Sequence, residues 1–496
     1  MNRGLCPERI WTGLMAGLAV LLAGTVWPFL LRTTAAFQID YNEGWNVVRA
    51  GMAAHLVPLY GAPPVGEITN YPPLSFHLVG LLSRFLPDAT LIGRLLSLAS
   101  LLVVCLALRL IARQLTASPR AGSCAALLFV IFLEGWMPGR IGTDDPQLLG
   151  MAFETLGFFC FLGRTGRGVA ASAVLFSLGV FTKHNLLAMP LGVALALVTG
   201  REWRLLLRWG GAGLVCSALL FLATMLIDGP YFLAHMLRGR AYMLSNVRAE
   251  ALPYILVFLP FLGIGAVWVR RNAAGPARRP LAFAWLAAQA TAVAFSGGDG
   301  TGHNLFFEAI ALDVVIAVTA LHDHLGRRPV APAAAALLIG VPLLFPLSLL
   351  PGRIWANVGE LFDRPRLEAD FAAGVAALRG VPAPVVCENL LMCDAAGKSS
   401  AFDPFFVMDQ IRTGRLDECR FVTMLEDQRL AAVEIGDIAA PEPPRYTRFT
   451  PLFLQTLARR YRVALRTPEF AIWLPADTPR AASPACPGRS GGRDRD

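Results

Sequence analysis

The chain is 496 residues long, 55% hydrophobic and only 16% charged, with a mean hydropathy of +0.53. That balance excludes a string of soluble domains, which the length alone would allow, and points to apolar runs near twenty residues that cross a membrane. A net charge of +9 would suit a nucleic-acid binder, but the arginines lie in short loops between apolar runs, which is a topology signal and not a polyanion patch.

The first apolar run, Ile10 to Leu31, is too long for a signal-peptide core and reads as a retained anchor. Ten further spans are expected near 89–112, 121–137, 146–163, 168–182, 185–200, 209–227, 251–269, 280–296, 305–321 and 330–350. The stretch Pro72 to Leu86 is apolar but short and opens on a Pro pair, so it reads as a helix on the membrane surface. Arginines crowd one set of alternate loops (Arg201, Arg204 and Arg208; Arg270, Arg271, Arg278 and Arg279), which puts the N-terminus inside. Two long segments then fall outside, a first loop over 32–88 and everything after 350. Residues 351–477 return to soluble composition and mix β-like runs (Pro384 to Val386, Ala431 to Ile435) with helix-like ones (Leu367 to Leu378, Thr450 to Tyr461). A hairpin is expected around Thr467-Pro468-Glu469, and residues 478–496 read as a disordered tail. The expectation is an all-α polytopic bundle of about eleven transmembrane helices with surface helices, spanning 1–350, and a small C-terminal α/β domain outside. Of the scattered cysteines, Cys387 and Cys393 both fall in that outer domain, where an oxidising compartment permits a disulfide.

The outer loops carry the chemistry-bearing residues. In Ile39-Asp40-Tyr41-Asn42-Glu43-Gly44-Trp45, Asp40 and Glu43 are spaced as a capping box at a helix start; either could also serve as a general base held at the membrane surface. In Thr143-Asp144-Asp145-Pro146 the adjacent carboxylates repel unless a cation or a proton intervenes, and Thr143 or Asp144 could cap the next helix. Lys183 lies between two apolar runs and could be an interfacial lysine or a phosphate contact; Arg238 and Arg240 in the next outer loop could act likewise. The segment from Gly297 to Asn304 is glycine-rich but lacks the Gly-Lys-Ser/Thr of a phosphate loop. Asn304 and Glu308 share a helix face, and Glu154 and Asp313 fall inside spans, where a carboxylate is costly and marks function by default. His322-Asp323-His324 lies on the inner side and reads as a solvated turn.

Asp40 to Trp45, then Pro58-Leu59-Tyr60, then Asn70-Tyr71-Pro72-Pro73-Leu74, resembles the first outer loop of family 39-type membrane glycosyltransferases, which include the protein O-mannosyltransferases and the lipid A aminoarabinose transferase. Thr143 to Pro146, Phe181-Thr182-Lys183 and the glycine-rich loop ending in Asn304 are similar to later landmarks of the same group. The resemblance implies a C-type (GT-C) fold and inverting transfer of a sugar from a polyprenyl-phosphate donor to a hydroxyl of an envelope acceptor, in a bacterial inner membrane. It implies a base at Asp40 or Glu43; substrate contacts are expected among Lys183, Asp144, Asp145, Arg238, Arg240, Asn304, Glu308 and Tyr71, but where aminoarabinose transferase-like members have Glu-Lys before the Pro pair this chain has Asn70-Tyr71, so a metal or phosphate role there does not carry over. Where the family carries an Asp-Glu pair this chain has Asn42-Glu43, so the base stays open between the two acids. No nucleotide cofactor and no nucleic acid is expected; a divalent metal stays open, with no ligands assigned. The other reading of such a bundle is a transporter or lipid flippase, for which repeated halves would be expected; the chain shows no repeat.

Overall fold

The computed structural model describes residues 7–62, 68–86, 88–327, 332–436 and 448–477; the expected tail over 478–496 lies outside them. Each of the eleven apolar runs lies on a helix. The first is broken at Val26, where Pro28 opens a second short helix, into Pro7–Thr25 and Trp27–Arg32. Among the described residues, five helical segments are long and apolar enough to cross a membrane: Pro7–Arg32, Ala89–Thr116, Trp203–Ile227, Leu244–Asn272 and His303–Gly326. The helix Trp203–Ile227 buries only Thr224 and leaves Leu207, Leu214 and Leu226 more than 70% exposed, a surface that needs lipid around it. The interior is aromatic, with Trp11, Phe129, Phe132, Phe158, Phe258 and Phe306 all below 2% exposure. Gly192 lets Ala188–Thr199 close on Arg279–Phe295: a Cβ there would stand 2.4 Å from the Ala284 backbone. The Pro72 to Leu86 stretch forms the nine-residue helix Leu74–Leu82, about 14 Å long and too short to span.

After the last apolar helix, Pro332–Ser348, the helix Leu350–Arg379 leads into a mixed domain. Its strands are β1 (Val385–Cys387), β2 (Ala432–Gly436), β3 (Tyr461–Arg466) and β4 (Phe470–Pro475), in the order β1-β2-β4-β3. β1 and β2 are parallel, so their connection crosses over through three short helices, Leu390–Ala395, Pro404–Arg412 and Cys419–Glu426. β3 and β4 form the expected hairpin, and Thr450 caps the helix Pro451–Arg460 by accepting from the Phe453 amide at 3.1 Å. Cys387 and Cys393 are joined as a disulfide, with Cα atoms 6.0 Å apart.

The two ends of the bundle differ. At one, arginines pair across neighbouring loops: Arg120 with Glu8, Arg164 with Glu202, Arg278 with Asp323. His322 there stacks on Trp11, and among the described residues no group of three or more His, Cys, Asp or Glu stands together as a metal site. At the other end the first loop, the loops near 140, 240 and 300, and the C-terminal domain converge on one cavity.

Candidate active site

The helix Tyr41–Ala54 sets the first acids. Asp40 is its N-cap and accepts from the Asn42 amide at 2.9 Å. Glu43 completes the capping box in a shifted form, accepting from the Ile39 amide at 2.7 Å instead of from Asp40. The two acids then part. Glu43 is fully buried and receives Arg94 through Nε and Nη2, each at 2.8 Å, and the Asp144 amide at 3.0 Å. Arg94 spends its remaining donors on the carbonyls of Thr33, Ala35 and Phe37, so all five of its N–H groups are used. Asp40 instead lines a cavity of about 560 Å³. Its side chain is 24% exposed and meets Arg140 Nη1 at 2.6 Å. Both of its side-chain bonds fall on Oδ1; among the described residues Oδ2 has no partner.

Arg140 links this acid to the second loop, reaching Asp145 Oδ2 at 3.0 Å. Asp145 also receives Lys183 Nζ at 2.9 Å, the Gln147 amide at 2.8 Å and Asn304 Nδ2 at 3.3 Å. The residue that caps the helix Gln147–Leu162 is therefore Asp145, and not Thr143 or Asp144 as the sequence suggests: Pro146 stands as the N-cap residue without a side-chain bond of its own. Burial alone would push the Asp145 carboxyl up, but the charges of Lys183 and Arg140 and the bonds from Lys183 and Gln147 outweigh it and hold it below its ordinary value. The neighbouring acid behaves oppositely. Burial, then the charges of Glu43 and Asp145, push Asp144 well above its ordinary value. It packs so closely that a Cβ on Gly93 would lie 2.2 Å from its Cγ.

The other expected site residues divide. Tyr71 and Arg240 line the cavity. With the Asn70 amide turned so that its oxygen faces the guanidinium, Asn70 accepts from Arg240 Nε at 3.0 Å; Arg240 also donates to the Asp299 carbonyl at 3.0 Å. Lys183 lies behind Tyr71, 5.0 Å from the ring centre, bound to Asp145 and outside the cavity lining. Asn304 is buried beside Asp145. Glu308 lies away from the cavity wall, close to Glu154 and to the amides that begin the helix Ala188–Thr199. Arg238 is also off the wall, near Asp409 and Arg415 of the C-terminal domain. That domain supplies wall residues that sequence reasoning missed: Asp403, Phe405 and Arg448, with Arg353 and Glu360 from the helix Leu350–Arg379. No local pattern marks them. Arg94 did carry a signal, as an arginine inside an apolar run.

No protein-family model and no curated protein sequence matches the chain. Among solved structures, it superposes on ArnT from Cupriavidus metallidurans bound to undecaprenyl phosphate with a TM-score of 0.60, over 94% of this chain and 99% of that one, at 14% identity. The chain has the C-type glycosyltransferase fold. Apo ArnT matches almost equally, with a TM-score of 0.59 over 94% and 98% of the two chains at 12% identity. A looser likeness, to the Archaeoglobus fulgidus oligosaccharyltransferase in complex with Zn and sulfate, has a TM-score of 0.48 and 12% identity over 85% of this chain and 68% of that one. At these identities the likeness is one of fold; what a C-type fold does in this chain rests on the residues around its cavity.

Proposed function

We propose that this chain is an integral membrane glycosyltransferase, multi-pass in a bacterial inner membrane. It moves a sugar from a polyprenyl-phosphate donor to a hydroxyl of an envelope glycolipid, polysaccharide or protein on the outer face. The observation that carries the reading is a cavity-lining carboxylate, Asp40, oriented through one oxygen and unengaged at the other. A general base needs that combination of fixed direction and a vacant lone pair. Glu43 lacks it, since its oxygens accept four bonds inside the protein. Asp40 Oδ2 takes the proton of the acceptor hydroxyl, the oxygen attacks the anomeric carbon, and the bond from that carbon to the phosphate oxygen breaks on the opposite face. The configuration inverts, and the polyprenyl phosphate leaves with one more negative charge than it had in the donor. Cations in the same cavity, Arg140 and Arg240, stabilise that growing charge more than the ground-state diester, which is what lowers a barrier. Lys183 acts through Asp145, keeping it ionised so that Arg140 stays stretched between two anions. In support of the donor class, the superposed ArnT structure holds undecaprenyl phosphate.

The test is a transfer assay in proteoliposomes with polyprenyl-phosphate sugars and with nucleotide sugars side by side. Transfer from the lipid-linked sugar alone is expected. Transfer from a nucleotide sugar, and none from any lipid-linked one, overturns the reading.

A further inference from the structure

The helix Leu350–Arg379 has two unlike faces. Arg353, Asn357 and Glu360 recur at i, i+4 and i+7 and line the cavity. Trp355 and Phe362, seven apart, lie about 180–200° round the helix from Arg353 and are 81% and 82% exposed. A soluble surface does not leave a Trp and a Phe that bare on one stripe. The stripe is continuous with lipid-facing structure on both sides. The apolar helix Pro332–Ser348 ends just before it. Beside it lies the helix Trp27–Arg32, tied to it by Arg364, which donates to the carbonyls of Leu31 at 2.9 Å and Thr34 at 2.8 Å. That neighbour exposes Trp27, Leu30 and Leu31. Aromatic side chains with apolar neighbours at the end of a span mark the membrane–water interface.

The cavity face holds a second oddity. Among the described residues, four arginines line the cavity. Arg140 binds Asp40 and Asp145, Arg240 the Asp299 carbonyl, and Arg448 binds Glu388. Arg353 is the fourth; among the described residues neither an ion pair nor a side-chain hydrogen bond engages its guanidinium. One helix thus sets a bare aromatic stripe on one side and an unengaged planar cation on the other, where a phosphate can be received.

We propose that the helix Leu350–Arg379 is seated in the outer leaflet by Trp355 and Phe362, and that Arg353 on its opposite face receives the phosphate of the membrane lipid that enters the cavity. The occupant of the aromatic face is the lipid surface; the ligand of Arg353 is a lipid-borne phosphate. That this lipid is the sugar donor rests on the function proposed above, but the seating and the binding do not.

Two measurements without turnover test it. First, spin labels at Trp355→Cys and Phe362→Cys in proteoliposomes are compared with a lipid-facing reference at Leu214→Cys and an aqueous one at Arg429→Cys, after subtracting label on the unsubstituted protein. Both sites are expected to favour oxygen over a water-soluble nickel relaxant, as Leu214→Cys does; relaxant access equal to that of Arg429→Cys overturns the seating. Second, undecaprenyl phosphate binding in nanodiscs is titrated for Arg353→Gln and, on the same helix, Arg379→Gln. Losing a charge-assisted phosphate contact should weaken binding about tenfold or more for the first and leave the second unchanged. Unchanged binding for Arg353→Gln, with both proteins folded, overturns the phosphate role. If both measurements succeed while no sugar is transferred from any donor, the function proposed above fails and this inference stands.

Discussion

Exchanging each first-loop acid for its amide separates catalysis from architecture, because the two acids lie three residues apart yet do different work. Asp40→Asn keeps a side chain that can cap the helix and still accept from the Asn42 amide; Asn and Asp are near-equal N-caps, so the helix should lose well under about 1 kcal/mol. What disappears is the carboxylate facing the cavity, and loss of a general base costs about 100-fold or more in turnover. Glu43→Gln acts the other way. The carboxylate accepts two bonds from Arg94 and one each from the Ile39 and Asp144 amides, and it is fully buried. Gln cannot accept all four with one oxygen, and it leaves a buried guanidinium without its counter-charge, a change worth about 3–5 kcal/mol in comparable pairs. Thermal unfolding of the purified proteins in detergent, with transfer rates on the folded fraction, reads both effects. The expected result is Asp40→Asn stable and inactive, and Glu43→Gln strongly destabilised. If Glu43→Gln melts with the parent protein and is dead while Asp40→Asn turns over normally, Glu43 is the base and the assignment collapses.

Gly44→Ala puts a Cβ 2.4 Å from the Leu391 amide nitrogen, so it should loosen the C-terminal domain from the Asp40 helix and cost about 1–3 kcal/mol, seen as a lower melting temperature and faster proteolysis of that domain. Burial, then the nearby Glu388 charge, push Glu434 up to about 8. Between the ordinary Glu value and about pH 8 the unfolded chain gives up this proton while the folded one keeps it, so stability falls as pH rises through that window. Glu434→Gln should flatten that fall in a series of melts from pH 4 to 9; an unchanged slope counts against it. Reporter fusions at Arg278 and Ala395 should appear on opposite sides of the membrane, and a shared side refutes the orientation.

The helices were legible in the sequence because a twenty-residue apolar run has few other fates in a membrane protein, and the β3–β4 hairpin because Thr467-Pro468-Glu469 interrupts two alternating runs. Asp40 could be read two ways, as a cap and, with Glu43, as a candidate base; the structure shows the cap and a cavity-lining place together. What escaped was pairing. Nothing near Glu43 announces that Arg94, fifty-one residues on, neutralises it, nor that Lys183 returns to Asp145. Such contacts are fixed by how helices pack, which local spacing does not encode. The helix cap after Thr143 was misplaced by the same blindness: Pro146 delays the first helical amide, which passes the cap to Asp145.

Arg94 also has a consequence for how the protein is made. The helix Ala89–Thr116 carries this arginine between one and two turns from its start, and until partners arrive the guanidinium must reach up to headgroup water. The carbonyls of Thr33, Ala35 and Phe37 and the Glu43 carboxylate that receive it belong to chain synthesised earlier. The second span can sink to its final depth only as that earlier strand wraps round the arginine. Biogenesis is thereby coupled to site assembly: a chain whose first loop has not closed is left with a span sitting too shallow, a defect that a membrane quality-control protease could read long before any substrate is met.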